Sequence, residues 1–471
     1  MVVAGADLRA GATLPIAQDG LARVWPRTLS VEVLAVALVL AVGRLAVAVH
    51  GPEHRALPTA LAAATVLVVL RGLRLGRPVT TPHAGLAGLA CLIAVYTQAH
   101  GHATGVYLAV LVAGAVLVWP TGAPTEPHLL PVIWPLIDQT RGDPLAPFAM
   151  DRQKRYVVSA DATAAVAYRV RAGFAVVSGD PVGDRRAYPD AIDAFAQLCR
   201  DRGWRPLVLA ASPRCAVLWR RRRVRGRPWW VVPIGHDAVV EVATFTLHGR
   251  GKRNLRQAVQ RTHNARMTTT VLPEADITAA LHDELLAVAH GSTKSIDAER
   301  GFSMMLDGTL SGRYPGTWLI VARDHTGGVQ GFQRYATAGA GSEVSLDLPW
   351  RRSDAPNGTD ERLTVDMIDW AKNHGGQRLS LSFAPLTDIF ATDPDGPAQR
   401  LARTVLHAAD GLIKLESLYR YVRKYDALGQ KRYVLLTPVD LLPALVVLLT
   451  LEFGPHHSPL RRHRTRRMPG R

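Results

Sequence analysis

The sequence predicts a chain in two parts, an N-terminal transmembrane α-helical segment of about four spans and then a mixed α/β (α+β) domain. Three observations carry this. Apolar runs crowd the first 120 residues, a Pro-rich stretch (120–135, PTGAPTEPHLLPVIWP) follows, and beyond it short β-patterned runs alternate with amphipathic helical ones. The domains expected are a cytoplasmic N-terminal segment (1–28), membrane helices (29–120), a linker (121–149), an α/β domain (150–437) and an apolar helix with a polybasic tail (438–471).

Residues 1–28 carry Arg9, Arg23 and Arg27 and lack the short apolar core and small-residue cleavage site of a signal peptide. The run from Leu29 to about Val49 is long enough to cross a bilayer. The runs Leu57–Leu73, Gly85–Thr97 and Gly105–Trp119 follow, the second and third spans being marginal in length. Arg71, Arg74 and Arg77 separate spans two and three, whereas the loop between spans three and four holds only His100 and His102. The positive-inside rule therefore predicts cytoplasmic termini, with the α/β domain on that side of the plasma (inner) membrane.

In the α/β part, YVVSA, AVAYRV and GFAVVSGDPVGD read as strands, the last turning at Gly179-Asp180-Pro181. Residues 188–202 form an amphipathic helix with Ile192, Phe195 and Leu198 on one side, and PLVLAA and CAVLW read as further strands. The most informative stretch is 343–386, which reads as strand, polar loop, helix and strand. Val344, Leu346 and Leu348 alternate onto one face, and Arg351 to Gly358 is rich in turn formers. Thr359 is placed to cap the helix, Asp360, Glu361 and Lys372 suit its dipole, and Gly375-Gly376 ends it.

The formal charge is +17 and the isoelectric point near 10.3, which calls for an anionic partner, nucleic acid or an anionic membrane. Cys91, Cys199 and Cys215 show neither CxxC nor Cys/His spacing, so neither a zinc site nor a disulfide framework is expected. WRRRRVRGRPWW (219–230) sets six arginines among three tryptophans, suited to phosphate or to a hairpin tip. GKRNLRQAVQR (251–261) reads as a helix with Lys252, Arg253, Arg256 and Arg261 outward and Leu255 and Val259 inward.

A polar loop feeding a helix N-terminus after a strand is an anion site, because the first N–H groups are unpaired. GNAT-fold acetyltransferases hold a glycine-rich loop there around the pyrophosphate of coenzyme A. Here the loop has one glycine, Gly358, with Arg351, Arg352, Asp354 and Asn357. It resembles a GNAT frame with another acyl donor. DLPWRRSDAPNG followed by a helix and LSFAPL resembles the catalytic domain of phosphatidylglycerol lysyltransferases. AYRVRAGFAVVSGDPVGD (167–184), HDAVVEVATFTLHGRGKRNLRQAVQR (236–261), ERGFSMMLDG (299–308) and LYRYVRKYDALGQKRYVLL (418–436) agree in the same order.

That resemblance, over roughly 150–437, implies a tandem GNAT-like acyltransferase domain that uses aminoacyl-tRNA and phosphatidylglycerol or another anionic lipid, without metal or cofactor. The reaction moves an activated ester, so alignment, a proton acceptor and oxyanion stabilisation suffice. The resemblance makes Asp347, Lys424 and Asn357 the expected catalytic residues: Asp347 for the ammonium or the hydroxyl proton, Lys424 for developing charge, Asn357 for the ester carbonyl. Arg351, Arg352, Asp354, Tyr425 and Asp180 are the expected substrate-binding residues, and Lys252, Arg253, Arg256 and Arg261 the tRNA-facing ones. Val422, Ala427 and Gly429 depart from the family's pattern, which leaves open another amino acid, another acceptor such as a peptidoglycan precursor, or a non-catalytic tRNA- or lipid-binding role. Leu441–Leu451 is too short to span and is expected to pack on the domain or lie at the bilayer interface; the tail RRHRTRRMPGR is expected on anionic lipid.

Overall fold

The computed structural model describes residues 56–77, 80–222, 228–292, 302, 305–385 and 420–452. The first expected span, residues 223–227 of the arginine-rich stretch, most of 299–304 and the polybasic tail lie outside them. The chain divides into two compact units, residues 1–121 with 200–204, and 122–199 with 205–471.

In the first unit, α1 (Ala56–Arg74), α2 (Thr81–Ala99) and α3 (Ala103–Leu117) fall on the three later apolar runs. Ala87 and Ala90 pack on Ala113, and Gly114 faces Thr65 and Val69, so small side chains let the helices approach. None of the described helices is long and apolar enough to cross a membrane. At 1.5 Å per residue the 15 residues of α3 reach about 22 Å against a hydrocarbon core of about 30 Å.

The second unit is built on a sheet whose described strands run in the order β1 (Arg155–Val158), β2 (Ala164–Arg171), β3 (Phe174–Ser178), β5 (Arg205–Ala211), β12 (Leu428–Leu436), β6 (Trp230–Glu241), β11 (Arg378–Pro385), β10 (Glu343–Arg351), β9 (Val329–Ala338), β8 (Thr317–Arg323) and β7 (Thr268–Pro273). The short β4 (Val182–Gly183) pairs with β2. Two βαβ units recur: β3 and β5 are parallel around α5 (Tyr188–Asp201), and β10 and β11 are parallel around α9 (Thr359–Asn373). In each lobe one antiparallel strand follows, and the lobes exchange it. β12, from the end of the second lobe, lies against β5, while β6, from the end of the first, lies against β11. β12 and β6 then pair with each other, which makes the sheet continuous.

One face is covered by α4 (Leu130–Gln139), by Phe302, Leu306 and Tyr314, and by α10 (Leu441–Glu452), whose Ala444, Val447 and Leu451 join the core. α8 (Ala279–Gly291) covers the same face farther along, on Leu319, Val321 and Phe332. The other face of the second lobe is covered by α7 (Arg253–Asn264) and α9.

Three local expectations are corrected. CAVLW is not a strand but lies in α6 (Pro213–Arg220): Ser212 Oγ accepts from Cys215 N at 3.2 Å and Pro213 opens the helix. Leu348 does not share a face with Val344 and Leu346, because a bulge between Leu346 and Leu348 turns it over to the α8 side with Trp350. The Thr359 hydroxyl does not cap α9; Gly358 is the cap residue, and Thr359 donates to Pro356 O at 2.7 Å.

Candidate active site

β10 and β11 pair only over Glu343–Ser345 with Arg378–Ser380. Beyond that point β10 stays with β9 and β11 with β6, so the two diverge and open a wedge at their C-terminal ends. The N-terminus of α9 arrives there. Its cap, Gly358, has φ +105°, and a Cβ on it would meet Ala258 O of α7 at 2.3 Å. Only glycine lets α9 start this close to α7. A cleft of about 460 Å³ results, lined by Arg261, Arg351, Asn357, Gly358, Asp360, Glu361 and Tyr421.

Cations and carboxylates alternate around it. Arg351 Nε lies 3.3 Å from Asp360 Oδ2, Lys424 Nζ 2.7 Å from Glu361 Oε1, and Arg261 Nε donates to Asn357 O at 3.5 Å. Beneath runs a hydroxyl network. Tyr425 OH donates to Tyr421 OH at 3.2 Å, Tyr421 OH pairs with Thr364 Oγ1 at 2.8 Å, and Thr364 Oγ1 and Tyr335 OH both donate to Gln333 Oε1. Burial pushes the Tyr335, Tyr421 and Tyr425 phenols well up, so they stay neutral donors. Gln333 Nε2 returns to Asp360 O at 3.2 Å, which ties the network to the first turn of α9. Sequence reasoning missed Glu361, Tyr421, Thr364 and Gln333 as a group, for they are dispersed along the chain and carry no motif spacing.

The structure brings Arg351, Asn357 and Arg261 together at the cleft and sets Lys424 on its rim through Glu361. Other predicted residues lie elsewhere. Arg352 and Asp354 form an exposed pair at 3.0 Å. Tyr425 is buried, stacked on Phe245 at 6.4 Å. Lys252 is not on the exposed side of α7; it is buried, donating to Lys424 O at 3.1 Å and pairing with Asp426 at 2.9 Å. Arg256 is half-buried and pins the preceding loop through Leu247 O and Gly249 O. Arg253 and Arg261 are exposed, while Leu255 and Val259 are buried as expected. Of the arginine-rich stretch, Trp219 and Trp229 are buried edge-to-face, and Arg222 pairs with Asp193.

Asp347 sits on the opposite face of the sheet, in a closed triad. Arg334 Nη1 donates to Asp347 Oδ2 at 2.9 Å, Arg334 Nε and Nη2 donate to Glu274 Oε2 at 3.0 and 2.8 Å, and Leu306 N donates to Asp347 Oδ1 at 3.0 Å. All three side chains are fully buried. Burial pushes the Asp347 carboxyl up to about 7, against the pull of Arg334. A proton there makes one guanidinium and two carboxyls neutral overall.

Asp180 belongs to a second buried set at the exchanged strands. It accepts from Ser212 N at 2.9 Å, and Arg432 of β12 reaches Asp237 of β6 at 2.7 Å and Asp143 at 2.7 Å. Burial, with the Asp143 charge behind it, raises the Asp180 carboxyl. The departures from the family's terminal pattern are packing positions: Val422 and Ala427 are fully buried in the α7/α9 core, and Gly429 lies over Asp237. Among the described residues no group of three His, Cys, Asp or Glu side chains is arranged to hold a metal ion.

Residues 134–436 match the family model described as phosphatidylglycerol lysyltransferase, C-terminal. An MprF-like domain protein of Mycobacterium tuberculosis is 49% identical over 84% of this chain and 82% of its own length. A lysylphosphatidylglycerol biosynthesis bifunctional protein, LysX, of Mycobacterium marinum is 33% identical over 66% of this chain, which spans only 28% of that relative. Among solved structures, L-PGS from Bacillus licheniformis superposes with TM-score 0.57 at 20% identity, over 71% of this chain and 99% of the other. The C-terminal domain of a putative lysylphosphatidylglycerol synthetase from Agrobacterium fabrum gives TM-score 0.58 at 20% identity, over 71% and 100%. These two likenesses carry the mixed α/β, GNAT-like fold.

Proposed function

Because the chain belongs to the phosphatidylglycerol lysyltransferase family, a family of aminoacyltransferases, we propose that it moves an amino acid, lysine being the family's default, from aminoacyl-tRNA to phosphatidylglycerol at the plasma membrane. The observation that carries the mechanism is the wedge between β10 and β11, which opens onto the cleft at the start of α9.

The first turn of α9 bears Asp360 and Glu361 where a coenzyme A pyrophosphate would need unopposed N–H groups. Two carboxylates there disfavour a diphosphate and suit a donor carrying an ammonium, as an aminoacyl ester does. In the proposed reaction the lipid hydroxyl oxygen attacks the ester carbonyl carbon. A new C–O bond forms, the bond to the tRNA ribose oxygen breaks, and the hydroxyl proton passes to that leaving oxygen. Glu361, paired with Lys424 at 2.7 Å, is the carboxylate placed to relay the proton. Arg351, Arg261 and the neutral Tyr421 phenol surround the developing oxyanion, with Asn357 orienting the ester. Asp347, closed off from the cleft, is a positioning residue that fixes the bulge of β10 ahead of Arg351.

The same proposal places the chain in the membrane by its N-terminal part. Leu86, Leu92, Val95 and Tyr96 of α2 and Leu108 and Val112 of α3 are between 49% and 68% exposed, an outward apolar face that lipid would cover.

The test is mass spectrometry of lipid extracts from cells expressing the chain, beside Glu361→Gln and Lys424→Ala variants. A new aminoacyl phosphatidylglycerol lost in both variants is the expected result, and it identifies the amino acid. An aminoacyl group on a different lipid would reassign the acceptor, and no new lipid from a well-expressed, membrane-inserted chain would sink the proposal.

A further inference from the structure

The outer face of α10 has no role in the site just described. The helix reads LLPALVVLLTLE, without a charge before Glu452. Its inner side is buried: Ala444, Val447 and Leu451 pack with Ile133, Leu136 and Leu306. On its outer side Leu442, Leu445, Val446 and Leu449 are 74%, 50%, 61% and 46% exposed, and Val439 just before it 65%. Positions 442, 445, 446 and 449 follow the i, i+3, i+4, i+7 rule and so form one stripe. Soluble monomers rarely leave such a stripe uncovered.

Length and charge decide what covers it. Twelve residues reach about 18 Å, too short to cross a bilayer core of about 30 Å but suited to lying in its interface. The chain after Glu452 contains no acid and six arginines, Arg461, Arg462, Arg464, Arg466, Arg467 and Arg471. A second copy seated on this face would bring two such segments together against their mutual repulsion, whereas an anionic leaflet attracts them. We propose that the outer face of α10 seats the α/β domain directly on an anionic bilayer, with Leu442, Leu445, Val446 and Leu449 in the acyl boundary, the positive charge that follows Glu452 in the sequence favouring an anionic leaflet. This seat belongs to the domain itself and is separate from any anchoring by the N-terminal helices.

The full chain with Cys91→Ser retains only the buried Cys199 and Cys215. An environment-sensitive fluorophore is placed at Leu445→Cys or Val446→Cys, and in a control at His325→Cys, an exposed turn position. The chain is reconstituted into vesicles of phosphatidylcholine with or without phosphatidylglycerol, carrying brominated acyl chains. In anionic vesicles the labels at 445 and 446 are quenched by the brominated lipid and shielded from iodide, while the label at 325 stays open to iodide. Replacing the six arginines with glutamine weakens the seating by roughly fivefold per charge removed. Labels at 445 and 446 that remain open to iodide in anionic vesicles would overturn the proposal. So would protection that follows protein density rather than lipid charge, which assigns the face to a second copy. The readout needs no aminoacyl transfer, so its failure and that of the proposed activity are told apart.

Discussion

Asp347 offers a test in which charge, burial and stability can be worked together. Its carboxyl titrates near 7 in the folded chain and near 3.9 when unfolded. Between those values the folded state holds a proton that the unfolded state has lost, so stability falls as pH rises through the window. The limiting slope is about 1.4 kcal/mol per pH unit, and the window of about three units amounts to about 4 kcal/mol. For a unit of this size that corresponds to about 1–2 °C of Tm per kcal/mol. Asp347→Asn imitates the neutral form and removes the titration, at a constant cost of about 1 kcal/mol for the lost acceptor oxygen facing Arg334 or Leu306 N. Asp151, also buried and raised to about 6, slopes the same way in both proteins and cancels in the difference. The assay is thermal unfolding of the full chain in detergent micelles at pH 5, 6, 7 and 8. The expected result is that Asp347→Asn, ahead of the wild type by about 0.5 kcal/mol at pH 5, is ahead by about 3 kcal/mol at pH 8, so the two curves diverge as pH rises. Parallel curves would refute the assignment of the proton to Asp347.

Four further outcomes follow from the same geometry. Arg334→Met strands Glu274 and Asp347 as buried carboxyls without a cation and should cost about 3–5 kcal/mol in denaturant unfolding; a loss under 1 kcal/mol would mean the triad is not closed. Gly358→Ala forces a Cβ against Ala258 O at a left-handed φ and should cost about 1–3 kcal/mol while moving the start of α9 off α7; transfer activity then falls more than the melting shift explains. Arg253→Ala and Arg261→Ala should each lower the magnitude of the salt-dependence slope of tRNA binding by about 1, measured by filter binding across salt concentrations. Arg256→Ala should instead lower stability, through the loop carbonyls of Leu247 and Gly249.

What the sequence made legible, and what it hid, divides along local and long-range causes. The strand–loop–helix–strand of 343–386 was readable because period, turn residues and the Gly375-Gly376 stop are all local, and Gly376 N does return to Ala371 O at 2.8 Å. The bulge at Leu346/Leu348 was not, because one extra residue inverts a face without changing composition. CAVLW was misassigned since β-branched and apolar content outweighed a two-residue start signal, Ser212-Pro213. Lys252 looked like a surface cation from its place on the helix wheel, yet its partners come from residues 424 and 426, far along the chain. The same distance hid the cleft, whose Arg261, Asn357, Glu361 and Tyr421 meet only when α7, α9 and the helical residues 420–423 pack. The strand exchange explains why the C-terminal motif matters to a site in the second lobe. β12 leaves that lobe to complete the first, so residues 420–427 must cross beneath α9 on the way, and this crossing delivers Tyr421 and Lys424 to the cleft. A truncation before residue 418 would therefore remove a wall of the site and the strand that joins the two lobes at once, and the Arg432 contacts to Asp143 and Asp237 would go with it.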